Sequence, residues 1–407
     1  MPLGLSLYLD LLRFGLALTV MLGHASDPAF VGTSSSLGHF PRYGLTAVTG
    51  FFVLSGLVIA RVSAGNERDP RRYFGARVAR LYSVVLPALA LTAALGALGA
   101  HIDPHVYATG PIHLGSQQPR RYLLTAFMVQ DFWIWAKEMT PGVNHPFWTL
   151  SYEVTYYAIF GLFLTRRRLL ATAGTALLLL LAGPRIAALF PLWLFGVAVY
   201  YALSRYRLPV PLAVLVFIAT AAGLYLTGAH RLNDDSNIRY DLDYAEGLLF
   251  AGNMFAAGSM AALLERALGW CPQLVRWLGM LTFALYLCHR PLLYFFTALH
   301  VDPPGSGWQT FWLFAMTSGV VIVVAQLGER FRVQIREWLG VRRPAAVGGV
   351  REGAGNMGAA IRIATPANDL LESHESASTE PAVASPAGVL AGHTRSLSAP
   401  GSLGIDR

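Results

Sequence analysis

The sequence predicts an all-α, polytopic integral membrane protein with about ten transmembrane helices, and three observations predict it. Charged residues make up 13% of the 407-residue chain and apolar residues 54%. A soluble domain carries about 25% charged residues, so this chain has too little charge to coat a globule of its size. The apolar residues fall in long runs, and about 20 apolar residues in helix match the hydrocarbon core of a bilayer. The arginines gather in short clusters between those runs, as topology signals do.

The runs give ten candidate spans: residues 5–24, 44–60, 78–99, 146–164, 169–182, 187–204, 209–228, 246–264, 279–299 and 308–328. The fifth is short, and with Pro184 and Arg185 after it the sequence predicts a tight hairpin with the sixth. Residues 122–135 are apolar but interrupted by Gln130 and Asp131, which predicts an amphipathic or re-entrant piece at the interface. The first run carries no basic start and holds Asp10 and Arg13, so it reads as a span and not as a signal peptide.

An even number of spans leaves both termini on one side. Counting alternate loops, that side holds Arg61, Arg68, Arg71, Arg72 and Arg77, then Arg166, Arg167 and Arg168, then Arg205 and Arg207, then Arg266 and Arg276. The segment after the last span adds Arg330, Arg332, Arg336, Arg342 and Arg343. The other side holds Arg42, Arg120, Arg121, Lys137, Arg185, Arg231 and Arg239, together with the acidic run Asp234, Asp235, Asp241 and Asp243. The bias places both termini in the cytoplasm. It also accounts for the net charge of +8 without nucleic acid as a partner, because no arginine stripe forms. Residues 1–343 are expected to form one transmembrane domain. Residues 344–407, rich in Ala, Gly, Ser and Pro, are expected to be a disordered cytoplasmic tail. Cys271 and Cys288 predict neither a disulfide framework nor a metal site.

Ionisable groups inside spans are costly and mark function. Asp10 and Arg13 are three residues apart and share a helix face, where they can pair. Arg13 and His24 are eleven apart, which returns nearly to the same azimuth with a rise of roughly 16 Å. Both are expected to face one interior lumen at two depths. Glu153 enters from the outer side at a depth comparable to His24, where a carboxylate can orient an imidazole. His289 and Arg290 lie midway along the ninth span. Arg77 and Arg80 point the same way at the start of the third span, and paired guanidinia suit a polyphosphate. Ser55 and Gly56 are expected to serve close helix approach, since their spacing is not that of a nucleophile elbow. These residues admit two classes of function: a proton-coupled transporter or channel using Asp10, Arg13, Glu153 and His289, or a membrane-embedded enzyme.

Taken together, Leu9-Asp-Leu-Leu-Arg13 with ten residues to His24, Phe51-Phe-Val-Leu-Ser-Gly56, Arg77-x-x-Arg80, Trp148-Thr-Leu-Ser-Tyr-Glu153 and Tyr286-Leu-Cys-His289 resemble the membrane-bound acyltransferase-3 family of bacterial O-acyltransferases. Leu57 departs from the pattern, where an aromatic is usual. The resemblance covers about residues 5–336. It implies an enzyme of the bacterial cytoplasmic membrane that takes an acyl group, acetyl on family grounds, from cytoplasmic acyl-CoA. The group goes to a hydroxyl of a cell-surface or exported glycan, or of a glycosylated metabolite. Acyl-CoA is then a donor substrate, with no bound cofactor and no metal. Arg13, His24 and Glu153 are implied as catalytic, Arg77 and Arg80 as the donor side, and Asp10 and His289 as supporting residues. No fused extracytoplasmic domain is visible, which implies the stand-alone type or a separate extracytoplasmic transferase as partner.

Overall fold

The computed structural model describes residues 1–31, 36–65, 67–108, 118–135, 139–231, 239–299 and 306–341. The expected tail 344–407 lies outside the described residues, as do Lys137, Asp234, Asp235, Arg342 and Arg343. Fourteen α-helices and no strand occur among the described residues. They are α1 (Leu3–Ala25), α2 (Pro28–Val31), α3 (Gly44–Ala64), α4 (Pro70–Ile102), α5 (Pro104–Ala108), α6 (Gln118–Ala126) and α7 (Trp148–Leu164). There follow α8 (Arg168–Ala182), α9 (Pro184–Arg205), α10 (Val210–His230), α11 (Tyr240–Ser259), α12 (Ala261–Leu268), α13 (Pro272–Ala298) and α14 (Gly307–Trp338).

Each of the ten apolar runs is helical. Seven helices are long and apolar enough to cross a bilayer, or eight if α11 and α12 count as one broken span. α7 and α8, at 17 and 15 residues, are shorter than the bilayer core requires. The helix ends follow local chemistry. Asp69 caps α4 by accepting from the Arg72 amide at 3.0 Å, with Pro70 in the first turn, and Ser306 caps α14 by accepting from the Gln309 amide at 3.1 Å. The α8–α9 hairpin turns on Gly183 at φ +102°, a backbone region that favours glycine, and Pro184 opens α9.

One span differs from expectation. The run 246–264 is not a single helix: the chain bends by 81° between α11 and α12, at Met260. Met260 is the break, and the Leu263 and Leu264 amides turn back to its carbonyl oxygen at 2.9 and 3.2 Å. α12 packs on α1, where Gly4 admits its backbone. The segment around 122–135 forms α6, turns and a short 3-10 helix, Trp133–Trp135, folded onto the start of α7. Gln130 is buried and donates to the Phe147 carbonyl at 2.5 Å, and the Ser151 hydroxyl accepts from the Asp131 amide at 3.1 Å.

α13 is central and packs against α1, α4 and α14. α3 runs closely along α9: a Cβ at Gly56 would lie 1.9 Å from the Trp193 carbonyl oxygen, and one at Gly196 would lie 1.8 Å from that of Val53. This is the backbone contact that small residues allow in lipid, where packing replaces the hydrophobic drive. α10 stands at the periphery. It buries only Ala213 and Gly228 and leaves Leu215, Ile218 and Tyr225 exposed. Such a face suits a lipid surround. α1, α3, α4, α7 and α13 enclose the cavity described next.

Candidate active site

The cavity and the open space at its mouth together span about 820 Å³. Its charged lining is Arg13, Arg77, Arg80 and Glu153, contributed by α1, α4 and α7. Asp10 and Arg13 pair at 3.4 Å, as their spacing predicts, and the Arg13 Nε atom is buried without a partner. Arg77 and Arg80 both reach the cavity, but they are not equivalent. Arg77 is buried, donates to Glu67 at 2.6 Å and lies over the rings of Tyr73 and Tyr157 at 5.6 and 5.7 Å. The Arg80 guanidinium has no hydrogen-bond or ion-pair partner among the described residues. An unpartnered guanidinium beside a cavity offers its donors to an anion.

Glu153 ends a chain of hydrogen bonds. The Trp193 indole donates to the Ser55 hydroxyl at 3.3 Å, Ser55 donates to the Tyr157 hydroxyl at 3.3 Å, and Tyr157 donates to the Glu153 carboxylate. Every donor in the chain points toward the carboxylate. Gly56 gives close approach as expected. Ser55, one residue earlier, instead lines the cavity and serves this chain. The expected contact between Glu153 and His24 does not form: Glu153 is held by Tyr157 on the arginine side.

His24 lies outside the cavity lining and meets His289. Their rings stack with centroids 5.3 Å apart and planes 22° from parallel. His289 is fully buried. Its Nδ1 lies 2.9 Å from the Leu285 carbonyl oxygen, and its Nε2 has no partner. A carbonyl only accepts, so neutral His289 carries its proton on Nδ1 and presents a free lone pair at Nε2. Between this pair and the cavity stands Tyr286. Its ring lies 6.4 Å from that of His289 and meets Phe51 edge-on at 5.5 Å, and its hydroxyl accepts from Thr149 at 3.1 Å. Arg13 lines the cavity, whereas His24 is not among its lining residues and stacks on His289 next to Tyr286.

The model of the acyltransferase-3 family, described as an acyltransferase domain, matches residues 6–329. The chain belongs to the acyltransferase-3 family. A search of curated proteins returns no match, and neither does a search of solved structures. As a member of this family the protein is a membrane acyltransferase, which decides against the transporter reading. The match takes in the ten apolar runs except Leu5 and every residue named in the cavity and around His24.

A second buried charge cluster lies away from the cavity. Arg231 donates to Asp243 at 2.5 Å and to Glu246 at 2.6 and 3.1 Å, and Thr46 donates to Glu246 at 2.7 Å. Burial alone would lower the Arg231 pKa. The hydrogen bonds to Glu246 and Asp243 outweigh it and raise the guanidinium above its ordinary value. Each of these polar groups is matched, and the cluster ties α3 to α11 and to the end of α10. Sequence reasoning placed Asp243 in a loop-side acidic run and missed its partner, since only the fold brings Arg231 to it.

Proposed function

We propose that this acyltransferase moves a short acyl group from cytoplasmic acyl-CoA to a hydroxyl of a cell-surface or exported glycan, or of a glycosylated metabolite. The observation that carries the reading is the polarity of the cavity. Arg13, Arg77 and Arg80 stand with Glu153 among apolar walls, and the His24–His289 pair lies behind the far wall. CoA is a polyanion with a long, largely uncharged arm. Guanidinia bind its phosphates, and apolar walls suit the arm. Arginine bias across the loops puts this mouth on the cytoplasmic side, with both termini.

In the reaction, His24 acts either as base to the acceptor hydroxyl or as transient acyl carrier. As base, it takes the hydroxyl proton while the oxygen attacks the thioester carbonyl carbon. The tetrahedral intermediate then collapses, the C–S bond breaks, and the CoA sulfur leaves with the proton returned by the imidazolium. A neutral histidine serves both steps near pH 7. Arg13, roughly 16 Å of helix from His24, stands with Arg77 and Arg80 on the donor side, where its charge draws the anionic donor in. His289 supports the His24 ring through the stack.

The test is transfer of radiolabel from [14C]acetyl-CoA to membrane-associated glycan in cells with and without the protein, joined to mass spectrometry of surface glycans after its deletion. Loss of an acyl substituent together with loss of label supports the reading. Unchanged glycan acylation and unchanged labelling would overturn it.

A further inference from the structure

The far wall of the cavity carries a consequence for the acyl group itself, resting on the reading that acyl-CoA occupies this cavity. Val48, Phe51, Ser55, Val58 and Ile59 line it from one face of α3, with eleven helical steps or roughly 16 Å between the first and the last. The two ends of that stripe differ. Ile59 lies toward the α3–α4 connection and the arginines of α4. On α7, Tyr157 sits under the Arg77 guanidinium, and Thr149, two turns earlier, marks the opposite end. Thr149 bonds to Tyr286, and Tyr286 packs on Phe51. Three helices therefore agree on the cavity's direction. Guanidinia stand at one end, and an aromatic wall of Phe51 and Tyr286 closes the other.

A CoA thioester with its phosphates on the arginines directs its arm down this stripe, and its acyl group arrives at the aromatic wall beside the histidines. We infer that Phe51 and Tyr286 act as a ruler that limits the acyl group to a short chain, with Phe51 setting the limit. Tyr286 is latched by Thr149 and backs onto His289, so its loss disturbs more than space. The Phe51 ring makes only packing contacts. Its removal opens apolar volume at the end of the arm without breaking a hydrogen bond.

The test measures binding of acetyl-, butanoyl-, hexanoyl- and octanoyl-CoA to the full chain in nanodiscs. Wild-type protein is expected to bind octanoyl-CoA at least tenfold more weakly than acetyl-CoA. Each methylene that gains apolar space is worth about fourfold in affinity. Phe51→Ala should therefore raise the octanoyl-to-acetyl affinity ratio by about tenfold or more, and Phe51→Leu, which keeps an apolar side chain, should raise it less. Wild-type protein that binds all four thioesters alike would overturn the ruler and leave the donor reading standing. So would an unchanged ratio in both variants. Wild-type protein that binds none of them would overturn the donor reading, and the ruler with it.

Discussion

Arg80 and Arg77 are adjacent on one helix face, yet the structure predicts opposite consequences for their removal. Arg77 forms a buried ion pair with Glu67 at 2.6 Å, and both side chains are only about a tenth exposed. Arg336 stands 4.0 Å from the other Glu67 oxygen and compensates weakly at that distance. Arg77→Ala leaves a buried carboxylate nearly unpaired, which costs about 3–5 kcal/mol of stability. Glu67→Gln in the same chain should recover much of that loss. Arg80 has no such partner to orphan, so Arg80→Ala should change stability by less than about 0.5 kcal/mol. A charge-assisted hydrogen bond to phosphate is worth about 1.5–3 kcal/mol, so Arg80→Ala should weaken acetyl-CoA binding by about 10- to 100-fold. Arg80→Lys should restore part of it, since lysine keeps the charge but not the fork. Thermal unfolding in nanodiscs and acetyl-CoA titration separate the two effects. An Arg80→Ala protein that unfolds early yet binds acetyl-CoA like wild type would refute the assignment of Arg80 to the donor.

Two further outcomes test the fold around the site. Arg231→Ala should lower stability by about 3–5 kcal/mol, because Asp243 and Glu246 lose their shared cation in a buried setting, and thermal unfolding with added Glu246→Gln should show partial recovery. Gly56→Ala should cost at least about 1–3 kcal/mol, since its Cβ would sit 1.9 Å from the Trp193 carbonyl oxygen and force α3 from α9. The yield of folded protein and its unfolding temperature in detergent check this.

The long helices were legible because bilayer thickness imposes a long apolar run on a helix that crosses it. The Asp10–Arg13 pair was legible because helical geometry alone brings residues three apart together. Contacts set by tertiary packing were not. His24 and His289 stack across 265 residues of chain, and no periodicity in either helix points at the other. Depth along a helix does not tell which way a side chain faces, so it could not show that Glu153 turns from His24. Tyr157, one turn further along α7, claims the carboxylate. Arg77 looked free because its partner Glu67 lies in the loop before its own helix, where no helical spacing reveals it. The bend at Met260 was hidden because Leu263 and Leu264 extend the apolar run past it. Phe51 and Tyr286 stand in the motifs that carry the family resemblance, but no spacing in the sequence brings them together at one end of the cavity.

The central claim is that acyl transfer passes through His24, behind the aromatic wall of a cavity with an arginine mouth. The most direct measurement is transfer of [14C]acetyl from acetyl-CoA to membrane-associated acceptor, normalised to folded protein, in wild type, His24→Ala and His24→Gln. Loss of a general base costs about 10²–10⁴-fold in rate. Both variants should fall by that much while inserting normally and still binding acetyl-CoA, because His24 does not line the donor cavity. A well-folded His24→Ala protein that transfers acetyl at the wild-type rate would contradict the account.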